Sequence, residues 1–137
     1  MKIGKTYSFE SAHHLPNHRG KCKNPHGHSY RLEVEIEGGL IHNPDASDDL
    51  MVEDFSSLDH IVDPIIETLD HEDLNKIEGL SRTTAEGILL YIVGILKHTM
   101  EIDPGIFGKQ RPRIWGGDPK LSRVRLYETE KAYAEWP

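Results

Sequence analysis

Cys22 is the only cysteine in 137 residues. It has no partner for an internal disulfide, so nothing here points to an oxidising compartment. No apolar run reaches the roughly 18 residues that mark a membrane helix. The opening MKIGKTYSFESAHH also lacks the apolar stretch of a secretory signal. A cytoplasmic protein is the expectation. Basic residues are outnumbered, 16 Lys and Arg against 23 Asp and Glu, giving a net charge of −7 that argues against a general nucleic-acid binder. Repeats, low-complexity tracts and linkers are missing too. The length fits one domain over 1–137, and such a domain buries enough surface to fold without a disulfide or a metal.

What is there is unevenly placed. Arg19, Lys21 and Lys23 crowd around Cys22, while acids dominate 45–78. A basic loop in an acidic protein suits a small anionic ligand, or it is simply a solvated charged loop. Tyr7, Phe9, Ser11 and His13 alternate as one face of a strand. A second strand carries Tyr30, Leu32, Val34 and Ile36 on one face and Arg31, Glu33, Glu35 and Glu37 on the other, the pattern of a half-exposed antiparallel strand.

Residues 50–55 read as a short strand leading into a helix. From Asp54 to about Leu69, Phe55, Leu58, Val62, Ile65, Ile66 and Leu69 recur at helical spacing. Asp54 or Ser56 is the expected cap, and Pro64 is expected to kink or break the helix. A second helix runs over 79–100, with Thr83 and Glu86 spaced as a capping box. Residues 103–120 are rich in Gly and Pro, with a short strand near Arg113–Trp115. A last strand covers 121–130, placing Leu121 with Arg123, Arg125 and Tyr127, opposite Val124, Leu126 and Glu128. The order predicts an α+β domain with two helices on one face of an antiparallel sheet.

His26 and His28, two apart at a strand entry, point to one face and are close enough to share an ion. If the first two strands form a hairpin, His13 at the end of the first meets them at one end of the sheet. Three imidazoles leave a tetrahedral zinc one open position, as in catalytic sites, although imidazole also suits copper, iron and nickel. His14 neighbours His13 but faces the other way, His18 in the basic loop reads as a ligand, a phosphate donor or a solvated residue, and His42, His60 and His98 read as surface residues.

Positive charge and a metal beside Cys22 favour its thiolate, as a fourth ligand or as a general base; a buried inert thiol fits the spacing as well. Adjacent Asp70 and His71 form a carboxylate–imidazole pair suited to proton relay, or an ordinary helix end. Glu128, on an otherwise apolar strand face, needs a hydrogen-bonding partner if buried, which a planar ligand with adjacent N–H donors supplies; in solvent it needs none.

Together FESAHHLP, CKNPHGHSYRLEVEI, MVEDFSSL, LDHEDLN, TTAE and LYET, in that order, resemble the 6-pyruvoyltetrahydropterin synthase/6-carboxytetrahydropterin synthase family. The resemblance covers most of the chain. It implies zinc held by His13, His26 and His28, Cys22 as general base, Asp70 and His71 assisting proton transfer, and Glu128 anchoring a pterin ring. Thr83, Thr84 and Glu86 match a segment beside the pterin pocket. It also implies the tunnelling fold, with small sheets joined edge to edge in a ring. Active sites then lie between subunits, commonly in a hexamer of two stacked trimers. Ring closure would remove the exposed sheet edges that the short sheet otherwise leaves open.

Only Lys23, Asn24 and Pro25 separate Cys22 from His26. This short gap is similar to that of the bacterial 6-carboxytetrahydropterin synthases of the queuosine and 7-deazaguanine pathway; pyruvoyl-forming members usually have a longer one. The implied substrate is 7,8-dihydroneopterin triphosphate, with Arg19, Lys21 and Lys23 suited by charge to its triphosphate. The products would be 6-carboxy-5,6,7,8-tetrahydropterin, acetaldehyde and triphosphate. Two alternatives stay open, pyruvoyl formation by loss of triphosphate and a non-catalytic pterin- or zinc-binding module. The stretch 105–118 is longer than the family usually has between the second helix and the last strand, and it could border the pocket or an interface.

Overall fold

In chain order the elements are β1 (Lys2–His13), β2 (His26–Glu37), β3 (Leu40–Ile41), α1 (Phe55–Leu69), β4 (Glu72–Asp73), α2 (Ala85–Ile102), β5 (Arg113–Ile114), β6 (Lys120–Tyr127) and β7 (Tyr133–Trp136). This computed structural model describes residues 1–103, 105–107 and 111–137. Positions 104 and 108–110 of the Gly/Pro-rich excursion lie outside the described residues.

Strict alternation gives β1 and β2 one continuous antiparallel register, from Lys2↔Glu37 to His13↔His26. They occupy the middle of a five-stranded sheet of order β4-β1-β2-β6-β7, antiparallel except for β4 beside β1. Phe9, Tyr30, Leu32, Val34, Ile36, Val124 and Leu126 project from one face into a single core with Leu58, Val62, Ile65, Ile88, Ile92 and Leu96 of the two helices. The opposite face carries alternating charges, with Arg123 against Glu33 and Glu35, and Arg125 against Glu135. Among the described residues no helix is long and apolar enough to cross a membrane.

Asp54 caps α1, its carboxylate accepting from the Ser56 amide at 2.7 Å. Residues 51–54 form no strand, in contrast to the expectation from LMVEDF. The helix also runs unbroken through Pro64. Both Pro64 and His60, whose carbonyl loses its i+4 donor to the proline, lie on the exposed side, where water can satisfy that carbonyl.

α2 starts later than expected. Thr84, not Thr83, is its cap, accepting from the Gly87 amide at 3.2 Å. Residues 79–83 are instead a non-helical approach to the sheet. Thr84→Ala should therefore cost about 1 kcal/mol, read as a lower urea midpoint at unchanged slope.

β6 also corrects the sequence. Its register against β2 shifts between Glu35 and Ile36. Ser122 is the skipped residue, its hydroxyl bonded to the Glu35 side chain at 2.8 Å. The extra residue turns Leu121 to the side of Val124 and Leu126, where it packs on the core. β6 ends at Tyr127, and the chain returns as β7, with the Glu128 amide donating to Ala132 O at 3.1 Å.

Candidate metal centre and active site

Sheet register builds the centre. His13 is directly opposite His26, and His28 is opposite Ser11. All three side chains leave the helix-covered face at the end of the hairpin. One ligand atom from each imidazole lies within 4.8 Å of those of the other two. His13 is buried, and His26 and His28 are half-buried, so one side of the cluster stays open.

The δ nitrogens are already committed. His13 Nδ1 is 2.6 Å from Thr83 O, and His26 Nδ1 is 2.8 Å from Asn24 O. A carbonyl can only accept, so each Nδ1 carries a proton, and in the neutral ring each Nε2 presents a lone pair. These two Nε2 atoms are 3.1 Å apart. Two facing lone pairs repel unless a cation lies between them, and an imidazole whose far N–H is held by a carbonyl is the usual arrangement of a metal-binding histidine. Burial holds the His28 pKa below its ordinary value; Glu128 opposes that shift, and His13 and His26 add to it. A neutral His28 is the form that ligates metal. The donor set fits Zn2+ with a position left for substrate.

Glu128, just past β6, sends its carboxylate to the same place. Its Oε1 is 3.6 Å from His13 Nε2 and 3.9 Å from His28 Nε2. It follows Val124 and Leu126 in alternation, which is why it shares their face. Cys22 lies in a single 3₁₀ turn, Lys21–Lys23, and its carbonyl accepts from the Leu15 amide at 2.8 Å, closing the loop between β1 and β2. The thiol is free and half-buried, and its sulfur is not part of the clustered ligand atoms. Arg19, Lys21 and Lys23 are exposed on this loop, and among the described residues none of them forms an ion pair.

Asp70 and His71 are not among the clustered ligand atoms. They pair with each other at 2.9 Å on the outer edge of β1. There Asp70 accepts from the Glu10 amide at 2.8 Å. That amide, followed by the His71 contact, holds the Asp70 carboxyl below the usual carboxylate range. His71 has φ 59° and lines a recess with Glu10, Ala12, Ser29 and His28.

Thr83 reaches the centre through its carbonyl on His13 Nδ1, and Thr84 and Glu86 lie at the N-terminal end of α2. The Thr83 hydroxyl donates to His14 O at 3.1 Å, and the Thr84 hydroxyl caps the helix. Glu86 is exposed. The carbonyls of Thr83 and Asn24 orient two of the imidazoles, a role no side-chain pattern reveals.

Known proteins share both the sequence and the shape. Residues 2–137 match the family model described as 6-pyruvoyl tetrahydropterin synthase. A relative from Haemophilus influenzae, named 6-carboxy-5,6,7,8-tetrahydropterin synthase, is 35% identical, with 99% of this chain and 98% of that protein covered. One of the same name from Synechocystis sp. is 42% identical, covering 69% and 74%. The solved structure of Caenorhabditis elegans 6-pyruvoyl tetrahydropterin synthase superposes with a TM-score of 0.73 at 24% identity, covering 99% of this chain and 94% of that one. That likeness gives the fold, the tunnelling fold of antiparallel sheet and two helices. Matched over all but its first residue, the chain belongs to the 6-pyruvoyl tetrahydropterin synthase family.

Proposed function

We propose that this protein is a zinc-dependent carbon–carbon lyase, a single catalytic domain over 1–137. It converts 7,8-dihydroneopterin triphosphate and water to 6-carboxy-5,6,7,8-tetrahydropterin, acetaldehyde and triphosphate. The observation that carries this reading is the convergence of the His13, His26 and His28 ligand atoms at an open end of the sheet. The choice of the carboxylated product rests on the names of the two relatives and on the short gap from Cys22 to His26.

His13, His26 and His28 would hold Zn2+, which supplies Lewis acidity toward the side-chain hydroxyls of the substrate. Cys22 takes and returns protons on that side chain as general base and acid. Glu128 accepts from adjacent N–H groups of the pterin ring and fixes its orientation. Thr83, Thr84 and Glu86 border the ring, and Arg19, Lys21 and Lys23 neutralise the triphosphate. Asp70 and His71 relay a proton. They sit on the β1 edge, where they would serve a site shared between subunits. A hexamer of two stacked trimers would provide such sites and cover the sheet edges. A cytoplasmic place in queuosine and 7-deazaguanine synthesis completes the proposal.

The test is anaerobic incubation of the zinc-loaded protein with 7,8-dihydroneopterin triphosphate, followed by mass analysis. Acetaldehyde together with a carboxypterin is the expected result. A pyruvoyl product would replace the lyase reading with simple loss of triphosphate. Tight binding without turnover would leave a pterin-binding module.

A further inference from the structure

β4 supports the outer edge of β1 only at Ser11↔Glu72 and Ala12↔Asp73. The chain then leaves the sheet in the 3₁₀ turn Leu74–Lys76. His14, the next residue of the β1 segment and the one bonded to His13, has no strand to pair with on that side. Its peptide groups are satisfied by a side chain. Asn75 Oδ1 accepts from the His14 amide at 2.8 Å, and Asn75 Nδ2 donates to His14 O at 2.9 Å.

A carboxamide is the side chain suited to this. It carries a donor and an acceptor side by side in one plane, as a peptide in a neighbouring strand does. The turn holds Asn75 in place, with Leu74 fully buried and the Asn75 amide bonded to Asp73 Oδ1 at 3.1 Å. Thr83 completes the grip, its hydroxyl on His14 O and its carbonyl on His13 Nδ1.

We infer that Asn75 is a positioning residue for the metal centre. By clamping the His14 peptide at both its polar groups, it fixes the direction in which His13 projects and keeps Nδ1 on the Thr83 carbonyl. The inference rests on the reading of His13, His26 and His28 as a zinc site. Asn75→Asp keeps the size but replaces the donor with a second acceptor facing His14 O. Asn75→Ser removes the two-point contact without adding charge.

The experiment measures zinc affinity of the full chain by chelator competition, and the visible spectrum of the Co2+-substituted protein. Leu96→Ala, a buried position on α2 outside the centre, is the comparison for general destabilisation. Wild type should bind one zinc per chain. Both Asn75 variants should bind about 10–100-fold more weakly with altered Co2+ bands, whereas Leu96→Ala keeps wild-type affinity and spectrum. Folded Asn75 variants with affinity within twofold of wild type and unchanged bands would overturn the inference. So would loss of fold in both, which would assign Asn75 to stability alone. If wild type itself binds no zinc, the metal reading fails instead, and the two failures are distinct.

Discussion

Cys22→Ala is expected to keep one zinc per chain and to lose turnover by about 10²–10⁴-fold, the usual contribution of a positioned proton-transfer group. The geometry separates the thiol from the ligands: the imidazole ligand atoms cluster within 4.8 Å, and the Cys22 sulfur is not among them. His26→Ala should lose the metal, and turnover with it. It removes one of the two Nε2 atoms that face each other at 3.1 Å, leaving His13 and His28 too few donors for tight binding. Zinc content by atomic absorption, measured alongside acetaldehyde release, tells the two variants apart. A Cys22→Ala protein that also loses its zinc would make the thiol a ligand and overturn its assignment as base.

The parts of this molecule legible in its sequence are those set by period. Alternation through Phe9, Tyr30, Leu32 and Val34 is enough to specify a hairpin, because a slip of one residue would turn that whole set to the charged face. The same hairpin carries His13 to His26, so the centre is legible once the two strands are paired. What the sequence hides depends on single residues and on backbone atoms. One extra residue at Ser122 reverses the side on which Leu121 lies. Thr83 and Thr84 look alike as caps, and tertiary bonds separate their roles: Thr83 holds His14 O and His13 Nδ1, while Thr84 accepts from the Gly87 amide. Adjacent Asp70 and His71 suggest nearness to the metal, but position along the chain does not say on which side of β1 they lie. The two-residue strands β3 and β5 are too short for any period, although a strand near Arg113 is visible from its neighbours.

Arg113→Met should destabilise the protein by about 3–5 kcal/mol, the usual cost of leaving one partner of a buried ion pair alone. For a domain this size that is a fall in Tm on the order of 10 °C or more. Arg113 and Glu53 approach to 3.5 Å with side chains only 3% and 4% exposed. The guanidinium also donates to Gly39 O, Val52 O and Phe107 O, at 2.8, 2.7 and 3.2 Å. One side chain thereby ties the β3 segment, the entry to α1 and the Gly/Pro-rich excursion together. Glu53 for its part accepts from the Asp54 amide and the Ser57 hydroxyl, both at 3.2 Å, at the first turn of α1. Removing the cation strands that carboxylate in a place water cannot reach. The cost therefore arises mainly from Glu53, and Arg113→Met/Glu53→Leu should recover much of the loss. Urea unfolding of the two single variants and the double variant measures this as a cycle. Additive losses would show that the three carbonyls, rather than the ion pair, make Arg113 indispensable.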